Sequence, residues 1–139
     1  MSRNIISFTV LGVAVAKGRG RVSTFGGHAR VYTPSKTRQA EETFVARSLA
    51  FRPKTPLTGP IRLNLIFVMP CPKSAPRSLK DQLIAYPPHT KRPDLDNLEK
   101  LVKDALNGVF WVDDAQVFDV VKKKVYGMMP RTEVTIEEI

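Results

Sequence analysis

Pro60-Ile61-Arg62-Leu63-Asn64-Leu65-Ile66-Phe67-Val68-Met69-Pro70 is the segment from which the fold is read. Between the two prolines the residues are nearly all apolar, and each proline stops a hydrogen-bonded ladder. A run of this length and composition predicts a buried strand in the middle of a sheet. Upstream, Ile5 to Val15 alternates weakly and is rich in Ile, Val, Phe and Thr, which predicts a first strand. Two basic segments, Arg19 to Phe25 and His28 to Thr33, flank Gly26-Gly27, a dipeptide suited to a tight turn, and so predict a β-hairpin. Thr33-Pro34-Ser35 opens a helix to about Ala50, with Ala40, Phe44, Val45, Ser48 and Leu49 on one side.

Downstream, Cys71 to Arg92 reads as a loop with one helical turn near Ser78 to Ala85. Nine of the eleven prolines fall between Pro53 and Pro93, which marks that stretch as rich in loops around one strand. From Asp94, residues Leu95, Leu98, Val102, Ala105, Leu106 and Val109 keep helical spacing until Asn107-Gly108, which accepts a left-handed cap. Gln116 to Tyr126 and Arg131 to Ile139 read as two closing strands. The order βββ, α, β, α, ββ predicts an α+β chain, a mixed sheet packed with two main helices, rather than a doubly wound parallel sheet. At 139 residues the expectation is one domain over 1–139.

Charge narrows the function. The chain has 22 Lys and Arg against 13 Asp and Glu, a net of +9, which favours a polyanionic partner, nucleic acid being the commonest. Residues 1–90 hold 14 basic and 3 acidic side chains, whereas 91–139 hold 8 and 10. A basic binding face set against a separate acidic cluster follows from that segregation. One cysteine, Cys71, excludes an internal disulfide framework and a cysteine-rich zinc site, and reads as an inert thiol in a reducing compartment. With no run long enough to span a bilayer and Ser7, Thr9 and Gly12 interrupting the first apolar segment, the expectation is a cytoplasmic protein without membrane attachment.

The acidic cluster starts at Asp94 and Asp96, in the first turn of the predicted helix, and continues at Asp113-Asp114, at the mouth of the next strand. Two readings stand. Carboxylates at a helix start satisfy free N–H groups and the macrodipole, so capping alone accounts for them. Alternatively, Asp94 and Asp96 converge on one ion while Leu95 turns to the core, with Lys100 on the face of Asp96. A hard-oxygen set of this kind suits Mg²⁺, with Mn²⁺ as a substitute, and such an ion activates water for phosphodiester hydrolysis. Phe110 and Trp111 read as core beneath the acidic pair, with an exposed ring wedging into a junction as the alternative. His28 and His89 read as solvated and not as ligands. Lys122-Lys123-Lys124 fits either DNA contact or edge-strand protection.

Arg92-Pro93-Asp94-Leu95-Asp96-Asn97-Leu98, then Lys100, Asp104-Ala105-Leu106-Asn107-Gly108 and Trp111-Val112-Asp113-Asp114-Ala115-Gln116-Val117 closely resemble the RusA family of Holliday junction resolvases. Lys17-Gly18-Arg19 and Arg30-Val31-Tyr32-Thr33-Pro34 resemble N-terminal segments of its phage and prophage members. The resemblance implies a RusA-like fold and a homodimeric, Mg²⁺-dependent endonuclease that binds four-way DNA junctions and nicks two opposed strands symmetrically. It implies catalytic and metal-binding roles for Asp94, Asp96 and Asp114, with Asp113 a further metal candidate that strand alternation points away. Lys100 matches the family's functional lysine, and Asn97 supports the site by hydrogen bonding. On this reading Lys17, Arg19, Arg21, Arg30, Lys73, Arg77, Lys91 and Arg92 contact phosphates. Two alternatives stand beside it: a nuclease for flaps or other branched DNA in phage genome processing, and a binder that stacks bases on Phe25 and Tyr32 without cutting.

Overall fold

The computed structural model describes residues 4–18, 21–23, 30–32 and 35–139, with 21–23 and 30–32 as backbone alone. In chain order the elements are β1 (Asn4–Leu11), β2 (Arg21–Ser23), β3 (Arg30–Tyr32), α1 (Ser35–Ser48), β4 (Ile61–Met69), α2 (Arg77–Lys80), α3 (Leu95–Leu106), β5 (Val117–Tyr126) and β6 (Arg131–Glu138). The main sheet has the order β1-β6-β4-β5, so the apolar run of β4 occupies an interior position. β4 is antiparallel to β6 and parallel to β5, and β1 is antiparallel to β6, giving the mixed sheet expected of an α+β chain. A parallel pair cannot be closed by a hairpin, and the long connection carrying α3 supplies the crossover.

Burial of β4 comes chiefly from one side. Ile61, Leu63, Leu65 and Phe67 are enclosed beneath the helices, whereas Asn64 on the opposite face is exposed and Arg62 and Ile66 are half-buried. The enclosed face packs against Phe8, Val10, Val134 and Ile136 of its neighbours, Phe44 of α1, and Leu98, Leu101, Val102, Ala105 and Leu106 of α3. At roughly 1.5–3 kcal/mol for each large apolar side chain, this stripe of α3 fixes the helix on the sheet and sets where its two ends lie. Phe110 and Trp111 are both 0% exposed, as the sequence predicts.

Several boundaries differ from the sequence reading. β1 stops at Leu11 rather than Val15, because Gly12 adopts φ +118° and its N–H donates to Pro130 O (3.1 Å), turning the chain off the sheet. α1 gives way to a 3₁₀ turn at Leu49–Phe51, and the tighter pitch swings Leu49 out to solvent while Phe51 stacks on Phe8 at 5.2 Å. β5 starts at Val117 because Asp114–Gln116 forms a 3₁₀ turn. β2 and β3 pair antiparallel as the hairpin reading expects, and its Gly26-Gly27 turn lies outside the described residues. Among the described residues no helix is long and apolar enough to cross a membrane.

Candidate active site

Asp94 is the N-cap residue of α3, with extended backbone angles, and its side chain makes no capping hydrogen bond. The carboxylate is exposed and free, so capping alone does not account for it. Asp96, in the first turn, is also exposed, and its Oδ1 accepts the N–H of Asn97 at 3.0 Å. The helix macrodipole favours both negative charges at this end. Lys100 sits one turn further on, exposed and without an ion-pair partner among the described residues. Arg92, Pro93, Asp94 and Asn97 line an open depression at the helix entrance, and Lys91 is exposed beside it. Leu95 is half-buried, in keeping with its expected turn toward the core.

The second acidic pair is divided by its surroundings. Asp113 caps the 3₁₀ turn: its side chain accepts the N–H of Gln116, and the Gln116 side chain accepts the N–H of Asp113 at 2.8 Å. Strand alternation therefore does not decide its direction, because the pair precedes the strand. Gln116 Nε2 also donates to Leu57 O (2.8 Å) and Gly59 O (2.9 Å), tying the turn to the loop before β4. Asp114 Oδ1 accepts the indole N–H of buried Trp111 at 2.8 Å. Burial pushes the Asp114 carboxyl above its ordinary value against that hydrogen bond, and the nearby Asp104 pushes the same way. The sequence reading quotes Trp111 and Gln116 within the family motif but gives neither a part in holding the acids. A buried indole needs an acceptor, and that requirement was the available signal for the first.

The donors suit a hard divalent cation: three carboxylates, two of them exposed, and one whose charge is disfavoured where it stands. Within one chain, however, they do not converge. α3 has 12 residues, and Asp114 neighbours Asp104 and Lys103 near its C-terminal end, whereas Asp94 opens the N-terminal end. At 1.5 Å per residue the two ends are about 18 Å apart. Two ligands of one Mg²⁺ lie within about 4 Å of each other. Among the described residues no group of at least three His, Cys, Asp or Glu side chains could hold a metal. Within one chain, then, Asp94 and Asp96 stand at the N-terminal end of the helix and Asp114 near its C-terminal end.

The cations separate into structural and free. Lys17 Nζ pairs with Glu41 of α1 and with Asp104 of α3 (3.0 Å), and its N–H donates to Asn97 O (3.0 Å). Burial works against its charge, but the two carboxylates outweigh it and hold the ammonium above its ordinary value. Lys17 thus fastens the 12–17 segment to both helices, and its ammonium is engaged within the fold. Lys73 and Arg77 are exposed on and before α2, like Lys91 and Arg92. Arg19 lies outside the described residues, and Arg21 and Arg30 stand on β2 and β3 by backbone register alone. The three lysines of β5 alternate: Lys122 reaches Glu99 of α3 at 2.7 Å, and Lys124 donates to backbone carbonyls before α3. His89 is half-buried against the Tyr126 ring at 4.5 Å rather than solvated, and burial beside Lys124 lowers its pKa. His28 lies outside the described residues.

A sequence model of the family described as endodeoxyribonuclease RusA matches residues 12–137. The chain belongs to the RusA family. Among curated proteins it is 39% identical over 138 residues to YqaN of Bacillus subtilis (strain 168), covering 96% of each chain. It is 45% identical over 64 residues to the crossover junction endodeoxyribonuclease RusA of Escherichia coli (strain K12), and equally to that of Enterobacteria phage 82. Those matches cover 44% of this chain and 52% of each RusA protein, so the chain matches about half the length of the named nucleases.

Proposed function

We propose that this RusA-family chain is a divalent-metal-dependent endodeoxyribonuclease that acts as a homodimer on four-way DNA junctions and resolves them by paired symmetric nicks. The observation that carries the reading is the free acidic end of α3. Asp94 is exposed and makes no capping bond, Asp96 is exposed with one oxygen on the N–H of Asn97, Lys100 is unpaired among the described residues, and exposed Lys91 and Arg92 stand immediately before them. A binding-only protein gains nothing from exposed carboxylates without an ion-pair partner beside its phosphate-binding side chains.

Asp94, Asp96 and Asp114 are the residues that would hold Mg²⁺ or Mn²⁺. When bound, the ion supplies an activated water and charge stabilisation on the scissile phosphate. Because one chain keeps Asp94 and Asp96 at one end of α3 and Asp114 at the other, the set closes only when a second copy brings its Asp114 to the first copy's Asp94 and Asp96. A two-fold dimer does this twice and so provides two equivalent sites, one for each opposed strand. Lys100 orients the phosphate from the helix face of Asp96, Arg92 and Lys91 hold the flanking backbone, and Trp111 fixes one oxygen of Asp114. Asp113, engaged as a cap, acts through the turn.

The test is cleavage of a synthetic four-way junction, with linear duplex and flap controls, by wild type and Asp96→Asn in Mg²⁺ and in chelator. Paired nicks confined to the junction, lost in the variant and in chelator while binding persists, are the expected result. Junction binding without cleavage in any divalent metal overturns the reading.

A further inference from the structure

Lys124 stands on an edge strand, in register with the enclosed Phe67, and so projects toward the helix side of the sheet. Its ammonium reaches no acid there. It donates instead to two main-chain carbonyls, Lys91 O and Pro93 O, the latter at 2.6 Å. The same stretch of chain is stitched to β5 by its backbone: Tyr126 N–H donates to Pro87 O (2.9 Å), His89 N–H donates to Lys124 O (3.1 Å), and Pro88 bridges to Val125. Segment 87–93 is therefore laid along the free side of β5, by main-chain bonds in its first half and by one side chain in its second. Asp94 follows directly, as the N-cap of α3.

From this we infer that Lys124 is a positioning residue for the acidic end of α3, holding Asp94 at its working angle through the carbonyls of Lys91 and Pro93. Two carbonyls bound to one ammonium fix two peptide planes, the one between Lys91 and Arg92 and the one that leads from Pro93 into Asp94. The interaction is charge-assisted, stronger than an ordinary amide bond, and uses two of the three donors of lysine. Lys122, two residues back on the same face, grips Glu99 in α3 at 2.7 Å, so β5 holds the entry loop and the second turn together. Lys123 points to the other face and takes no part.

The inference rests on the nuclease reading for its catalytic consequence, so two readouts are needed. Lys124→Met removes the donors and keeps the length, Lys124→Arg restores a cation with donors, and Lys123→Met is the control. In single-turnover junction cleavage, Lys124→Met slows nicking by about 10- to 100-fold at saturating enzyme, the loss expected when a reacting group is misplaced by about 1 Å. Junction affinity in chelator and its salt slope stay at wild-type values, Lys124→Arg recovers most of the rate, and Lys123→Met matches wild type. Independently of activity, amide exchange of Leu98, whose N–H bonds Asp94 O (3.2 Å), quickens in Lys124→Met, while Asn107 N–H, bonded to Lys103 O at the far end, is unchanged. If Lys124→Met does not fold, Lys124→Gln, with one donor group, carries the same comparison.

Wild-type rate and exchange in the Met or Gln variant overturn the inference, as does a reduced salt slope with an intact saturated rate, which makes Lys124 a phosphate contact. Absence of cleavage by wild type strikes the nuclease reading alone, and the exchange comparison then decides for or against Lys124.

Discussion

Mixing two inactive variants is expected to restore activity. In Asp96→Asn the N-terminal end of α3 is disabled, and in Asp114→Asn the opposite end is disabled. These residues stand toward opposite ends of a helix of 12 residues, about 18 Å long, too far apart for a single ion. If each site takes Asp94 and Asp96 from one protomer and Asp114 from its partner, a mixed dimer carries both substitutions in one site and neither in the other. Random pairing makes about half of the dimers mixed, each with one intact site of two, so nicking returns to about a quarter of the wild-type rate per site. The products differ as well: a mixed dimer nicks one strand, so nicked junctions accumulate without resolved duplexes. The assay is junction cleavage by each variant alone, then by an equimolar mixture after subunit exchange, with nicks and resolved products separated on denaturing and native gels. A mixture as inactive as its parents, with mixed dimers shown to form, refutes the shared site.

Arg92→Ala is expected to weaken junction binding and reduce the magnitude of the salt slope by about one, whereas Lys17→Met leaves the slope unchanged and lowers stability, because its ammonium is engaged with Glu41 and Asp104. Titration of binding against salt and urea unfolding separate the two, and equal slopes for Arg92→Ala and wild type remove Arg92 from the contact surface. Gln116→Ala strips the donors from Leu57 O and Gly59 O and breaks the cap with Asp113, for an expected cost of about 2–3 kcal/mol by urea midpoint. A cost below the usual ~0.5 kcal/mol surface scatter counts against that lock. Glu138 accepts from Gly59 N–H (2.9 Å), Asn4 Nδ2 (2.7 Å) and Thr58 N–H (3.2 Å), which hold its carboxyl below its ordinary 4.5. Its contribution is therefore complete above 4.5 and is lost as pH falls through the lower folded value, so wild type and Glu138→Gln converge in stability on acidification. Parallel pH profiles would show that Glu138 adds nothing.

Most elements were legible in the sequence because their signals are local. The apolar run between Pro60 and Pro70 marks an interior strand, and Leu98, Val102, Ala105 and Leu106 mark the buried stripe of α3. The carboxylates were legible as a set of residue types in order, and the family resemblance gave them roles. What periodicity could not supply was the distance between them. Asp96 and Asp114 are 18 positions apart in sequence, and whether the chain folds back to bring them together or lays a straight helix between them depends on the sheet beneath. Here β4 and β5 are parallel, so the crossover runs the length of the strands and leaves the acids at its two ends.

The lysines show the same division between local signal and tertiary result. Lys17, Lys122, Lys124 and Lys100 are equivalent as sequence, each a cation in a basic chain. Packing assigned the first three to Glu41 and Asp104, to Glu99, and to the carbonyls of Lys91 and Pro93, and left Lys100 exposed beside Asp96. Strand, helix and charge inventory follow from spacing of a few residues, which the sequence by itself contains. Which acid meets which cation, and which carboxylates stay apart, depends on contacts among α1, α3 and β5 that are distant in sequence, and only their packing on one sheet decides them.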